Sequence, residues 1–506
     1  MTGCTGYELI EMARIMKTEI QKLSIQEKIG FGLGDTASNL FFQTTIYFLL
    51  YFYTDVFGIT AKTAGTMFLV TRIWDAINDP IMGAIADRTT TRWGKFRPFL
   101  LWFAIPFGVI GIAMFTTPEI SDPGKVIYAY VTYTLMMMVY TAVNVPYCAL
   151  MGVISPDPLE RTVVSSFRFV LVFVAAFIVQ YALTGMVIKF GGDKSSPLGW
   201  QAAMSILFVA ATILFLITFL TTKERVQPIK GEKNSFKQDL ADLLRNGPWL
   251  VIGFATIFQL AFVVMRGGII VYYFDYFIKA QPVVLFGTTQ LTIFGRLFDF
   301  SSVSSTGLAM AFMLSGTILT IIGAITTKWF CKFLDKPKIY ALLFILAGVS
   351  TGLVYYVQPQ NLYSLFGLQF ITSFCMGPVS VLQWAIYTDT ADYSEWKTGR
   401  RATALIMAAS LFVLKLGVAF GGAALGWILD GYGYVANTEL DAVAIKGICL
   451  SMSVYAAIPA LIAGGLMLFY PLSNKKMLAM EAELAERRKQ MHHEADGVSD
   501  KPISKQ

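Results

Sequence analysis

AAMSILFVAATILFLITFL, residues 202–220, contains no ionisable side chain over its whole length. A bilayer's hydrocarbon core, near 30 Å, is crossed by about 20 apolar residues in a helix, so this run is long enough to span a membrane. Runs of the same character recur on both sides of it, separated by short charged or Gly- and Pro-containing stretches. They predict spans at roughly 28–53, 61–87, 97–117, 124–153, 160–190, 197–221, 247–279, 303–331, 337–357, 362–390, 402–430 and 446–472, twelve in all. Continuous apolar runs broken by Gly and Pro suit helices, which satisfy their own backbone groups, whereas barrel strands would show short dyad alternation. The fold class is therefore an all-α membrane protein of twelve transmembrane helices.

Of the 506 residues, 55% are hydrophobic and 14% charged, against about 25% charged in soluble domains, and the mean hydropathy is +0.59. These values exclude a soluble globule and make the lipid bilayer the protein's first partner. Lys and Arg gather in the loops after the even-numbered spans: Arg88, Arg92, Lys95 and Arg97; Arg161; Lys223, Arg225, Lys230, Lys233, Lys237 and Arg245; Lys328, Lys332, Lys336 and Lys338; Lys397, Arg400 and Arg401. The odd-numbered loops hold fewer, namely Lys62, Lys125, Lys189, Lys194, Lys279, Arg296 and Lys446. That bias puts the even loops and both termini in the cytoplasm. It also explains the net charge of +7 by attraction to an anionic inner leaflet; no basic domain is available for nucleic acid. Cys4, Cys148, Cys331, Cys375 and Cys449 show no metal-site spacing and suggest no structural disulfide. No cofactor or resident metal is expected. The only histidines, His492 and His493, sit in the polar tail, so a proton relay would have to use carboxylates. The N-terminus lacks the short apolar core of a cleaved signal peptide.

The longest polar segment between spans falls after the sixth, which divides the chain into a lead (1–27), a six-helix bundle (28–221), a linker (222–246), a second six-helix bundle (247–472) and a tail (473–506). Asp87-Arg88 after the second span and Asp335-Lys336 after the eighth occupy corresponding places in the two bundles, in line with the internal repetition of many secondary transporters. A longer outward loop, about 280–302, has an apolar stretch suited to the membrane surface, and the tail can begin as a short helix at MLAMEAELAERRKQ, residues 477–490.

Charges inside spans cost roughly 2.5–3.5 kcal/mol each on insertion scales, so each is a functional hypothesis. In RIWDAINDP, residues 72–80, Asp75, Asn78 and Asp79 are spaced i, i+3, i+4 and share one helical face. Two carboxylates so close repel each other, and a bound cation or proton relieves the repulsion; the Asn78 amide oxygen adds a neutral acceptor to a hard oxygen set. The plainer alternative is an ion pair with Arg72, although one arginine cannot easily neutralise both acids. Pro80 removes a backbone donor beside them. Other polar residues at depth are Asn39, Tyr140, Thr141, Asn144, Arg168, Arg266, Asp275, Gln383, Asp389 and Lys415. Sugar hydroxyls need such donors and acceptors, and Trp384 or Tyr147 offers a face for a pyranose ring. Packing explains any single Asn or aromatic equally well; Arg168 and Lys415 are harder to dismiss. Arg266 and Asp275 lie on opposite sides of an ideal helix and should not pair.

The wet loop DRTTTRWGKFRP, residues 87–98, suggests a cytoplasmic gate of Asp87, Arg88 and Arg92 with Asp392, Glu395, Arg400 and Arg401 of the other half as candidate partners; a topological determinant is the simpler alternative. A membrane-embedded enzyme is disfavoured because no metal-binding His-Glu motif, Gly-flanked nucleophilic serine or phosphate loop is present. A non-transporting sugar sensor would call for a signalling module, which the tail and loops lack.

GFGLGDTASN (30–39), YFYTDVFG (51–58), GTMFLVTRIWDAINDPIMG (65–83), DRTTTRWGKFRPF (87–99), YTAVNVPYCAL (140–150), TDTADYSEWKTGRR (388–401) and LFVLKLGVAFGGA (411–423) together resemble the glycoside, pentoside and hexuronide cation symporters. This branch of the major facilitator superfamily includes the melibiose carrier and enterobacterial inner-membrane relatives. The resemblance implies two pseudo-symmetric six-helix bundles in the bacterial inner membrane. It further implies symport of a sugar, glycoside, pentoside or hexuronide with sodium or a proton by alternating access, in a functional monomer. Matched residue by residue, it implies a cation site at Asp75, Asn78, Asp79 and Thr141, and a sugar pocket that includes Tyr140, Arg168, Gln383 and Lys415. Asn39 and Asn144 stand where the melibiose carrier has aspartates, and Cys148 stands where it has a sugar-stacking tryptophan. Two amides in place of two carboxylates leave Arg168 and Lys415 with fewer negative partners, so the pocket is expected to be more positive and suited to an anionic sugar.

Overall fold

The computed structural model describes residues 23–155, 158–225, 243–283, 288–293, 296–398, 403–473, 475–477, 479–480, 483–484 and 486. Its helices are α1 (Ile25–Tyr47), α2 (Ala61–Arg88), α3 (Arg97–Met114), α4 (Asp122–Val153), α5 (Pro158–Gly191), α6 (Pro197–Thr221), α7 (Gly247–Tyr272), α8 (Ser305–Phe330), α9 (Lys336–Leu353), α10 (Leu362–Thr398), α11 (Thr403–Gly431), α12 (Ala442–Met452) and α13 (Val454–Leu468). A single turn, Leu49–Tyr51, and a π-helical turn, Phe52–Val56, extend α1; a second π turn, Tyr273–Ile278, extends α7. Among the described residues, ten helical stretches are long and apolar enough to cross a membrane. The segments containing α1 and α2 are not among them. Polar and glycine residues of GFGLGDTASN dilute α1, and Arg72, Asp75 and Asp79 interrupt the apolar run of α2.

Helix starts are fixed by side chains that accept from otherwise unpaired backbone donors. Ser196 accepts from Gly199 N (3.2 Å) at α6, Asn246 from Trp249 N (3.1 Å) at α7, Ser304 from Gly307 N (3.1 Å) at α8 and Asp441 from Ala444 N (2.8 Å) at α12.

The contacts group into two compact units, residues 1–45 with 74–231 and residues 46–73 with 232–506. In the first, α3 packs on α4 and α6; in the second, α9 packs on α10 and α13. These are matching neighbour relations in the two halves of the chain, as internal repetition requires. Close approach of α7 and α11 depends on Gly417 and Gly421: a Cβ at Gly417 would come 2.7 Å from the Ile257 carbonyl oxygen, and one at Gly421 2.8 Å from Ala261. A Gly-xxx-Gly spacing of this kind lets membrane helices meet backbone to backbone.

The outward loop, expected to carry an apolar stretch suited to the membrane surface, contains an antiparallel hairpin of β1 (Gln290–Ile293) and β2 (Arg296–Asp299), with Gln290 opposite Asp299 and Ile293 opposite Arg296. Leu291, Ile293, Leu297 and Phe298 supply the β-branched, aliphatic and aromatic residues that favour a pleated ladder, so the otherwise α-helical fold carries one small ribbon. In the tail, the described residues from 475 to 486 are helical. Leu472, Met477, Met480 and Leu484 are buried together against Tyr393, Trp396 and Tyr470, and Trp396 Nε1 donates to Glu483 at 2.8 Å. The described part of the tail helix therefore docks on the end of α10. The four described cysteines, Cys148, Cys331, Cys375 and Cys449, form no disulfide with one another.

Candidate cation and sugar sites

The acidic face of α2 meets α4 at one hydroxyl. Thr141 Oγ lies 2.7 Å from Asp75 Oδ1 and 2.9 Å from Asp79 Oδ1. Asp75 and Thr141 are fully buried and Asp79 partly so. A hydroxyl has one proton and can donate to one carboxylate at a time; towards the other it presents a lone pair. The three oxygens therefore converge on one point, an oxygen-rich arrangement of the kind that a small cation or a proton favours. Asn78, half-buried on the same helix face, makes no hydrogen bond to the described residues, so its oxygen is open as a neutral ligand. Arg72, earlier on α2, is itself buried.

The residues expected to contact sugar in the first unit lie on α1, α4 and α5, with one correction to their charge balance. Gly32 is pressed against α5, where a Cβ would come 3.3 Å from Arg168 Cα. Asp35, on the same face of α1, reaches Arg168: its Oδ2 accepts from Nε at 2.5 Å. Asn39, one turn on, donates to the Asp35 backbone oxygen (2.9 Å) and to Oδ1 (3.2 Å). Arg168 is therefore neutralised from within. The carboxylate absent at position 39 is supplied four residues earlier, and the expected excess of positive charge at Arg168 does not exist.

Of the two readings open for Tyr147, sugar face or packing, the structure carries the second. The residue is fully buried, its hydroxyl donates to the Phe31 carbonyl (2.8 Å) and its ring stacks on Phe31 with centroids 4.7 Å apart. The Arg168 guanidinium lies over this ring at 5.6 Å. Tyr147 is thus a platform for the arginine and leaves no free face for a sugar. Tyr140, Asn144 and Cys148 are spaced i, i+4, i+8 along α4, so one face carries all three; Tyr140 packs on Phe41 at 5.6 Å.

Within the second unit, Gln383 is buried and its amide donates to Thr256 (3.2 Å), which also accepts from the Tyr387 hydroxyl (2.6 Å). Trp384 is 40% exposed, and its ring meets that of Tyr387 at a steep angle with centroids 6.0 Å apart. Lys415 is partly buried on α11, two residues before Gly417. Arg266 and Asp275 take separate partners, as their spacing predicts: Arg266 Nη1 donates to Gln369 (2.6 Å), and Asp275 accepts from Ser305 (2.8 Å). Lys336 binds both oxygens of Asp389, at 3.0 and 2.9 Å.

Within the first unit, the loop expected to form a gate is tied to the segment that follows α6. Glu224, which sequence reasoning passed over, accepts from the backbone nitrogens of Lys95 (2.8 Å), Phe96 (2.8 Å) and Arg97 (3.0 Å) and so caps α3. Gly94 has φ +113°, and a Cβ there would come within 2.5 Å of the Glu224 carboxylate. Arg92 lies over Trp93 at 4.5 Å. Other loop charges pair locally, Lys28 with Glu160 (2.9 Å) and Arg225 with Glu27 (2.6 Å). Hydrogen bonding to Glu27 raises the Arg225 pKa against the opposing effect of burial. Arg88 is exposed; Asp392 and Glu395 lie near the end of α10. Arg400 and Arg401 lie outside the described residues, as does the Asp87 side chain.

The chain matches the family model described as MFS/sugar transport protein over residues 30–298 and 286–474. It is 38% identical over 446 residues to the inner membrane symporter YicJ of Escherichia coli (strain K12), covering 88% of this chain and 90% of that protein. It is 35% identical over 477 residues to the putative glycoside/cation symporter YagG of the same organism, covering 94% and 97%. Its fold is similar to the crystal structure of a D-xylose-proton symporter, with a TM-score of 0.59 at 12% identity, covering 89% of this chain and 98% of that one.

Proposed function

The chain belongs to the glycoside–pentoside–hexuronide:cation symporter family of the major facilitator superfamily, and from that premise we propose that Asp75, Asn78, Asp79 and Thr141 bind the cation that drives its sugar import. The protein is a multi-pass inner-membrane transporter and not an enzyme. The observation that carries the proposal is the placement of one Thr141 hydroxyl within hydrogen-bond distance of both carboxylates. Sodium or a proton neutralises this cluster, and its arrival and departure are what a symport cycle needs. Asn39, Tyr140, Asn144, Arg168, Gln383, Trp384 and Lys415 are the proposed sugar contacts, supported for the first unit by the polar cluster around Arg168.

The remaining assignments belong to the same reading: twelve spans as two six-helix bundles, both termini cytoplasmic, a monomeric working unit and alternating access. Cation and sugar each tighten the other's binding by a coupling of about 1–3 kcal/mol. A potential of 100 mV adds about 2.3 kcal/mol per charge moved, which alone sustains roughly fiftyfold accumulation at about 1.4 kcal/mol per decade. Counterflow of a labelled glycoside in vesicles, with sodium and pH gradients imposed separately, tests the reading. Exchange and gradient-driven accumulation are expected; a protein that moves no glycoside under either gradient contradicts it.

A further inference from the structure

Arg168 is held in a pair of zero net charge, and this bears on which sugars the proposed pocket accepts. The Asp35 side chain is 9% exposed and that of Arg168 29%, so the carboxylate is the buried member and the guanidinium the one that reaches open space. Nε of Arg168 is committed to Asp35, and the Tyr147 ring lies under the guanidinium. The two Nη groups make no hydrogen bond to the described residues, and they are free to donate. Asn39 fixes the Asp35 carboxylate from the opposite side without adding charge. The site thus offers donors to a ligand while its positive charge is already balanced.

A neutral hydroxyl can accept from the free Nη groups at no electrostatic cost. A carboxylate on the sugar would bring a second negative charge to the guanidinium that Asp35 already binds, and like charges at such range in a partly desolvated site repel. We propose that Asp35 is a specificity-determining residue: as the resident counter-ion of Arg168 it selects uncharged glycosides or pentosides and rejects hexuronides. The inference rests on the sugar-pocket reading above and deepens it. Asp35 acts through Arg168, so it is a positioning residue with no direct sugar contact required.

The test compares p-nitrophenyl β-D-glucoside and p-nitrophenyl β-D-xyloside with p-nitrophenyl β-D-glucuronide in proteoliposomes. The glucoside and glucuronide differ only at C6, where the glucuronide has a carboxylate. Wild-type protein is expected to favour an uncharged probe over the glucuronide by at least about tenfold, equivalent to ~1.4 kcal/mol. Asp35→Asn keeps the shape, removes the counter-ion and should shrink or reverse that ratio, and Asp35→Glu should restore it. Wild-type preference for the glucuronide overturns the inference while leaving sugar symport standing, as does an unchanged ratio in an Asp35→Asn protein that retains a cooperative thermal transition. Should Asp35→Asn fail to fold, the wild-type ratio still decides. If wild-type protein transports none of the three probes under any cation gradient, sugar symport itself falls and the inference falls with it.

Discussion

The Thr141 hydroxyl lies 2.7 Å from Asp75, yet the same oxygen is only 2.9 Å from Asp79, so one proton serves two carboxylates. Whichever acid does not receive that proton faces a lone pair of the same oxygen. A cation or a proton held between the two acids relieves their mutual repulsion.

Thr141→Ala should therefore weaken cation binding and leave Thr141→Ser close to wild type. A hydrogen bond to a charged group contributes about 1.5–3 kcal/mol, so the cation concentration giving half-maximal sugar uptake should rise roughly ten- to a hundredfold. Uptake titrated against sodium and against pH checks this, and an unchanged midpoint in both titrations would remove Thr141 from the site.

Gly94→Ala should destabilise the first unit, because φ of +113° is unfavourable for any side chain and the new Cβ would collide with the Glu224 carboxylate. Strain of this kind costs about 1–3 kcal/mol, readable as a lowered melting temperature in detergent. Adding Glu224→Ala should not rescue it, since the collision goes but the backbone strain and the lost α3 cap remain.

Gln369→Leu should also lower the melting temperature. Gln369 Oε1 is the acceptor for Arg266 Nη1, and Nε and Nη2 of that buried arginine already lack partners among the described residues. Removing its acceptor leaves the guanidinium without a hydrogen bond, at a cost of about 1–3 kcal/mol. A melting temperature equal to wild type would show that the buried end of α7 rearranges freely.

Met480→Asp should release the tail from Tyr393 and Trp396, because a carboxylate in that apolar seat is costly to bury. Trypsin should then cleave at the exposed Lys475 and Lys476 faster than in wild type. Equal cleavage rates would mean that the tail does not stay docked.

What the sequence disclosed follows the range of the interactions. Asp75, Asn78 and Asp79 were legible because helical periodicity is local, and three spacings within one turn fix a shared face. The helices were legible because bilayer thickness sets their length. Asp35 stood in plain view within GFGLGDTASN, and the rule that intramembrane charges need partners applied to it; its partner, however, lies 133 residues away, and no periodicity reports which spans touch. Glu224 was missed for the same reason, since the backbone nitrogens it caps are more than 120 residues earlier. The hairpin at 290–299 escaped because two four-residue strands in an apolar loop carry too little alternation to stand out. Tyr147 stays open between ligand face and packing in the sequence because an aromatic residue at depth looks the same whether its ring faces a cavity or a neighbouring side chain.

The central claim is that the carboxylates of α2 couple a cation to sugar movement. Its most direct test is glycoside accumulation in proteoliposomes under an inward sodium or proton gradient, wild type against Asp75→Cys, with sugar exchange measured in parallel. Wild type should concentrate the glycoside and lose that ability when the gradient is collapsed, while Asp75→Cys should exchange sugar without concentrating it. Accumulation by Asp75→Cys equal to that of wild type would contradict the account.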